Sequence, residues 1–216
     1  MTAAADRRWA VAASRSLGPD HTPEAAAAAV ARGVAAAIGP HAVEALAAVG
    51  LATKGPDETR QALDGIGQPG AGWADPWLIG QVHEQAASPA ERQRRGAWYT
   101  PRSVVGGLTA AAFDAWGPTP PPLVVDPTCG GGAFLLAALD RLVAMGVAPA
   151  DAVARTVGLD LDPTAVRVTR WSLALWAAAA IRSGPGDVLP PNALEVAMGD
   201  INDSCGDAVT DIAYGW

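Results

Sequence analysis

Three aspartates, Asp126, Asp160 and Asp200, each close a short run suited to a strand, at residues 123–125, 156–159 and 194–199. Carboxylates at the ends of neighbouring parallel strands meet at one edge of a sheet, the edge where doubly wound folds bind ligands. Singly, each has a plain structural use: Asp126 starts a turn before Pro127, Asp160 is a surface polar residue, and Asp200 caps a turn. Together they repel one another unless a ligand uses them. The run Pro127-Thr-Cys-Gly-Gly-Gly132 follows the first of them. Its glycines permit close backbone approach, and the helix after it offers free N–H groups to an anion such as a carboxylate. An adenosine with an amino-acid tail suits this set. Asp160 would accept from two ribose hydroxyls, Asp200 from the adenine amine, and Asp126 would meet the ammonium. A dinucleotide fingerprint fails, because Gly130 and Gly132 fit G-x-G-x-x-G but the third position is Leu135.

The elements that must hold these residues alternate between strand and helix. Residues 123–126 form an apolar run suited to a buried parallel strand. Residues 133–145 read as a helix with Leu135, Leu139 and Leu142 or Val143 on one face. Residues 156–160 are a second strand, and Asp162-Pro163 caps a helix to about 181 with Val166, Thr169, Leu173 and Trp176 on one face. Residues 194–198 supply a third strand. Right-handed crossovers then give an α/β, Rossmann-like, incomplete doubly wound sheet. A small helical region, residues 1–68, precedes it. Thr22-Pro23-Glu24 opens a helix to Gly39, a second covers 40–49 and a third 57–64. Residues 65–76 are rich in glycine and proline and read as a flexible connection, so the domain boundary is expected at 69–76 and the ligand-binding portion at 77–216. Further helices are expected at 77–87 and, after the capping pattern Ser88-Pro-Ala-Glu91, up to Gly96.

The chain has 216 residues, 50% apolar and 17% charged, with a net charge of −7. No apolar stretch reaches the ~20 residues of a membrane helix, and the start lacks the apolar core of a secretory signal. Two cysteines, Cys129 and Cys205, make no disulfide framework, and three histidines show no metal-ligand spacing. A cytoplasmic protein without structural metal is expected. Residues 121–216 carry eleven acids and five bases, so this half is a poor phosphate binder by itself. Arg92, Arg94, Arg95 and Arg102 read as a solvated helix face rather than a phosphate grip. Cys129 reads as a small turn residue facing a ligand rather than a nucleophile, since nothing nearby would lower its pKa.

Four segments carry a family resemblance: Gly96-Ala-Trp-Tyr99-Thr100-Pro101, Asp126-Pro127-Thr-Cys-Gly-Gly-Gly-Ala-Phe134-Leu135, Gly158-Leu-Asp160-Leu-Asp162-Pro163, and Gly199-Asp200. The chain resembles the N6-adenine DNA methyltransferases, in particular the modification enzymes of restriction and phage-defence systems. The resemblance covers roughly residues 77–200, and residues 77–84 look like the helix before the Tyr-Thr-Pro segment, with His83-Glu84 where Tyr-Glu is more usual. It implies that S-adenosyl-L-methionine (SAM) is the cofactor and DNA the substrate. It also implies that Tyr99, Thr100, Pro101, Asp126, Pro127, Thr128, Cys129, Gly130, Gly132 and Phe134 hold the methionine part, Asp160 the ribose and Asp200 the adenine amine.

The family's catalytic element, Asn/Asp-Pro-Pro-Tyr/Phe, holds an adenine amine between two acceptors and stacks the flipped base. No such tetrapeptide occurs, and Leu189-Pro-Pro-Asn192 has the reverse order and precedes the third strand. The expectation is therefore the cofactor-binding part of a methyltransferase, with no catalytic residue assigned and inactive alone. It would need a C-terminal continuation or a partner chain for catalysis and target recognition. A non-catalytic SAM-binding assembly module is the alternative. An RNA or protein-glutamine methyltransferase is a third reading, and a nicotinamide enzyme fits least.

Overall fold

The computed structural model describes residues 3–16, 22–52, 63, 65–67, 69, 72–95, 100–117 and 122–182. Tyr99, Asp200, most of the helix expected at 57–64, the third strand, and the side chains of Arg94 and Arg95 lie outside the described residues. The described elements are α1 (Ala3–Ser16), α2 (Pro23–Ile38), α3 (Pro40–Ala48), α4 (Trp77–Ala86), α5 (Pro89–Arg95), α6 (Arg102–Trp116), β1 (Val124–Asp126), α7 (Ala133–Ala144), α8 (Pro149–Ala154), β2 (Thr156–Gly158) and α9 (Pro163–Arg182). It is a largely helical arrangement around a small sheet. β1 and β2 are parallel, with Val124 opposite Thr156 and Asp126 opposite Gly158. That register brings the two strand ends, and hence Asp126 and Asp160, to the same edge.

Local signals explain most helix ends. Thr22 caps α2 by accepting from Ala25 N at 3.1 Å, with Pro23 in the first turn. Gly39 then turns with φ 136° to release Pro40 into α3. In α9 the stripe Val166, Thr169, Leu173 and Trp176 is buried throughout. In α7 the apolar face ends at Leu142, while Val143 stands exposed. Helix α1 is an element beyond the three helices expected in residues 1–68.

Two packed clusters organise the molecule. The first joins α1, α2 and α3 to Leu78, Ile79 and Val82 of α4 and to Val168, Trp171 and Leu175 of α9. The segment expected to connect two domains takes part in this packing. Trp73 meets Trp9 edge to face at 5.1 Å, and Trp9 Nε1 donates to Gly67 O at 2.9 Å. Residues on both sides of the 69–76 segment therefore share one core. The second cluster fills the space between α6, α7, α8 and α9.

One expectation needs correction. The 123–126 run was expected to be buried, yet Leu123 is 63% and Val125 38% exposed. Among the described residues β1 has β2 on one side only, and a strand side chain alternates between faces. Val124 turns inward against the second cluster; its neighbours face away from it.

Candidate functional site

The glycine turn between β1 and α7 is built by backbone geometry. Gly130 and Gly132 take φ values of 51° and 85°, a region that side chains with a Cβ avoid. Gly131 lies against Gly80 of α4, so closely that a Cβ on Gly131 would stand 2.6 Å from the Gly80 Cα. Leu135, which breaks the dinucleotide fingerprint, is fully buried and packs under Gly158, where a Cβ would meet its Cδ1 at 2.7 Å. The third glycine of that fingerprint is replaced by a core leucine, and the close approach has moved to β2.

Asp160 braces the turn. Its Oδ2 accepts from Gly130 N at 2.9 Å and its Oδ1 from Asp162 N at 2.8 Å. An ionised carboxylate offers about four acceptor directions, so each oxygen retains one for a ligand hydroxyl. Asp126 Oδ1 accepts from Thr128 N at 3.1 Å, the turn-starting role, while burial raises its pKa and nearby Asp160 raises it further. The two acids thus converge as expected. Asp162 does what its cap reading requires: Oδ1 accepts from Thr164 N at 3.0 Å at the start of α9.

A cavity of 1210 Å³ opens over the turn. Of the residues singled out from sequence, Thr100, Asp126, Pro127, Thr128, Cys129, Gly130, Phe134 and Asp160 line it. Gly132 instead faces Thr169, and Pro101 is exposed at the start of α6, where its carbonyl accepts from Val104 N and Val105 N. Thr169 Oγ1 donates to Gly130 O at 2.8 Å, fixing the turn from α9. Cys129 is buried, and burial pushes its thiol up to about 12. It stays protonated at neutral pH, which suits a turn residue and not a nucleophile.

Two wall residues, Glu84 and Leu161, were not assigned to the site, and Arg92, expected on a solvated helix face, is a third. Glu84 of α4 lines the cavity, and burial raises its carboxyl to about 7 although Gly131 N–H donates to it. Its signal was its place in the 77–84 segment, where His83-Glu84 stands for the Tyr-Glu of the family it resembles. Leu161, 95% exposed beside Asp160, lines the mouth; an apolar residue between two aspartates was its signal. Arg92 Nη1 lies 3.4 Å from the Glu84 carbonyl oxygen and also reaches the cavity. Arg102 points elsewhere, pairing with Asp75 at 2.9 Å and covering the Trp77 ring at 4.5 Å. Among the described residues no group of acids, histidines and cysteines is arranged to hold a metal ion, and no helix is long and apolar enough to cross a membrane.

The family model for N-6 DNA methylases matches residues 77–184, half of the chain. This chain belongs to the N-6 DNA methylase family. No curated protein and no solved structure matches it. The matched span begins at the first residue of α4, so in this methylase the helix that floors the glycine turn belongs to the family core. Helices α1 to α3 precede that core and pack onto it.

Proposed function

We propose that this N-6 DNA methylase is the SAM-binding part of a site-specific DNA adenine-N6 methyltransferase acting in restriction–modification or phage defence, on a Rossmann-like methyltransferase fold. The observation that carries the reading is Asp160, which braces the glycine turn with both oxygens and opens on the cavity beside exposed Leu161. The donor set fits the cofactor. Asp160 has acceptor capacity for ribose hydroxyls, Leu161 offers an apolar surface to a purine, and Asp126 offers a carboxylate to an ammonium. When bound, SAM supplies a methyl group on a positively charged sulfur.

The residues of this chain bind and orient in that scheme. Gly130 and Gly132 keep the turn open for the amino-acid end, with Thr100, Thr128, Cys129 and Phe134 around it. Pro101, Pro127, Tyr99 and Asp200 belong to the same proposal by family likeness. Residues 77–216 would form the cofactor portion and 1–68 a docking region beside it, in a cytoplasmic enzyme. The adenine-holding tetrapeptide does not occur in residues 1–216, so these residues by themselves would transfer no methyl group.

Titration calorimetry tests the reading. Wild type is expected to bind SAM, and Asp160→Ala to lose binding at least about tenfold through an uncompensated Gly130 N–H and lost ribose contacts. No binding even at millimolar SAM would leave only an assembly role. Methylated adenine in DNA incubated with the purified chain and labelled SAM would overturn the proposed inactivity.

A further inference from the structure

Glu84 has no part in the contacts above, yet it sits under the turn that makes them. Gly131 N–H donates to its carboxylate, while Oε2 is enclosed and has no hydrogen-bond partner. Oε1 lies beside Gly130, 3.8 Å from the place a Cβ there would occupy. A carboxyl enclosed with one oxygen idle is poorly served as an anion. Packing alone would be met as well by a neutral side chain.

The charges around Glu84 define what would improve its position. On its own helix the neighbour is His83, and α5 brings Arg92. The sheet edge brings Asp126, Cys129 and Asp160, the start of α9 brings Asp162, and α2 brings Glu24, all lining the cavity. Farther along α9, Arg167 is held by Glu24, and Arg170 is engaged in bonds of its own. Among the described residues, helix α1, across α4, gives the cavity none. Glu24 is neutralised by Arg167, and the other four carboxyl groups share the cavity lining with one arginine, Arg92, so a cationic ligand is the complement.

We propose that Glu84 is a specificity-determining residue for charge at the ligand's sulfur: it holds a proton while the cavity is empty and releases it to solvent when a sulfonium enters. A cationic sulfonium in this cavity would then be attracted to the ionised carboxyl, as a neutral thioether would not. The inference rests on the SAM reading above. Burial that raises the Glu84 carboxyl to about 7 places the proton exchange at neutral pH. The released proton leaves a carboxylate that binds Gly131 N–H more strongly, so cation entry and tightening of the turn occur together.

Calorimetry of the full chain at pH 7, in two buffers of different ionisation enthalpy, counts the protons. The ligands are SAM, its thioether product S-adenosylhomocysteine, and sinefungin, which carries an ammonium in place of the sulfonium. The amino-acid ammonium is common to all three, so differences read the charge at the sulfur position. SAM and sinefungin are expected to release about half a proton more than the thioether. E84Q removes that excess and lowers the preference for SAM over the thioether about tenfold. Infrared difference spectra of wild type give a readout needing no variant: the protonated carboxyl band should fall when SAM is added. SAM binding with no excess release, an unchanged excess in E84Q, or an unchanged carboxyl band overturns the inference and leaves the cofactor reading intact. No binding of any of the three ligands to wild type overturns both.

Discussion

Gly80 and Gly131 meet backbone to backbone, one from the middle of α4 and one from the turn over which the cavity opens. A methyl group on Gly131 would lie 2.6 Å from the Gly80 Cα, with only backbone to move. Gly131→Ala should therefore push the turn off α4 and cost about 1–3 kcal/mol of stability, as overpacking does. SAM affinity should fall with it, at least tenfold (~1.4 kcal/mol). Gly106→Ala in α6 is the control, because nothing lies within 4 Å of its added Cβ. A helical glycine with open space gains up to about 1 kcal/mol from alanine. Urea unfolding of both variants checks the pair, and a neutral Gly131→Ala would show that the contact does not constrain the turn.

Glu84 makes stability depend on pH in a defined direction. Its ordinary value is 4.5 and its value in the fold is about 7. Below the first, folded and unfolded chains both hold the proton and burial costs little. Between the two, the unfolded chain ionises while the folded one does not, so stability falls as pH rises. Above the second the penalty is complete, on the order of 3 kcal/mol. E84Q should match wild type near pH 4 and exceed it at pH 8, by about 1–3 kcal/mol once the altered Gly131 bond is allowed for. Denaturation midpoints against pH measure this, and parallel curves for the two proteins would contradict it.

The site was legible wherever a residue's role is local. Thr22 before a proline, paired glycines before an apolar helix, and the aspartate that ends β1 announce themselves because cap, turn and strand end are fixed by neighbours in sequence. The α9 stripe was legible for the same reason, since its spacing repeats along one element. Glu84 was not, because its importance comes from where α4 lands, and nothing in Trp77-Leu-Ile-Gly80 says that a glycine turn about fifty residues away rests on it. The sharing of one core across residues 69–76 was hidden likewise. A glycine- and proline-rich stretch reads as a connection until Trp73 is seen against Trp9 and over Gly33, where a Cβ would meet the indole at 2.7 Å.

Cys129 should be chemically silent in the folded protein. Burial is the main cause of its raised thiol; the Thr169 hydrogen bond opposes it, and Asp160 and then Asp126 add to the rise. At pH 8 the thiolate fraction is ~10⁻⁴, and the thiolate is the species that alkylates. Iodoacetamide at pH 8, with peptides mapped by mass spectrometry, should leave Cys129 unmodified in the native chain and label it fully in urea. Rapid native labelling of Cys129 would mean that the turn opens to solvent.

Asp160 distinguishes charge from shape. Its oxygens accept from two different backbone N–H groups, Gly130 on one side and Asp162 on the other. Asparagine has the same outline, but its NH₂ would face one of those donors. Either arrangement of the amide leaves a partly buried N–H without an acceptor, at about 1–3 kcal/mol. Asp160→Asn should therefore lose stability nearly as much as Asp160→Ala and should lose SAM binding too, because the turn is no longer held from β2. Asp151→Asn, on an exposed first turn of α8, should stay within ~0.5 kcal/mol of wild type. Thermal unfolding and calorimetry across the three variants settle the point: if Asp160→Asn keeps wild-type stability and affinity, the paired backbone bonds are not what shapes the site.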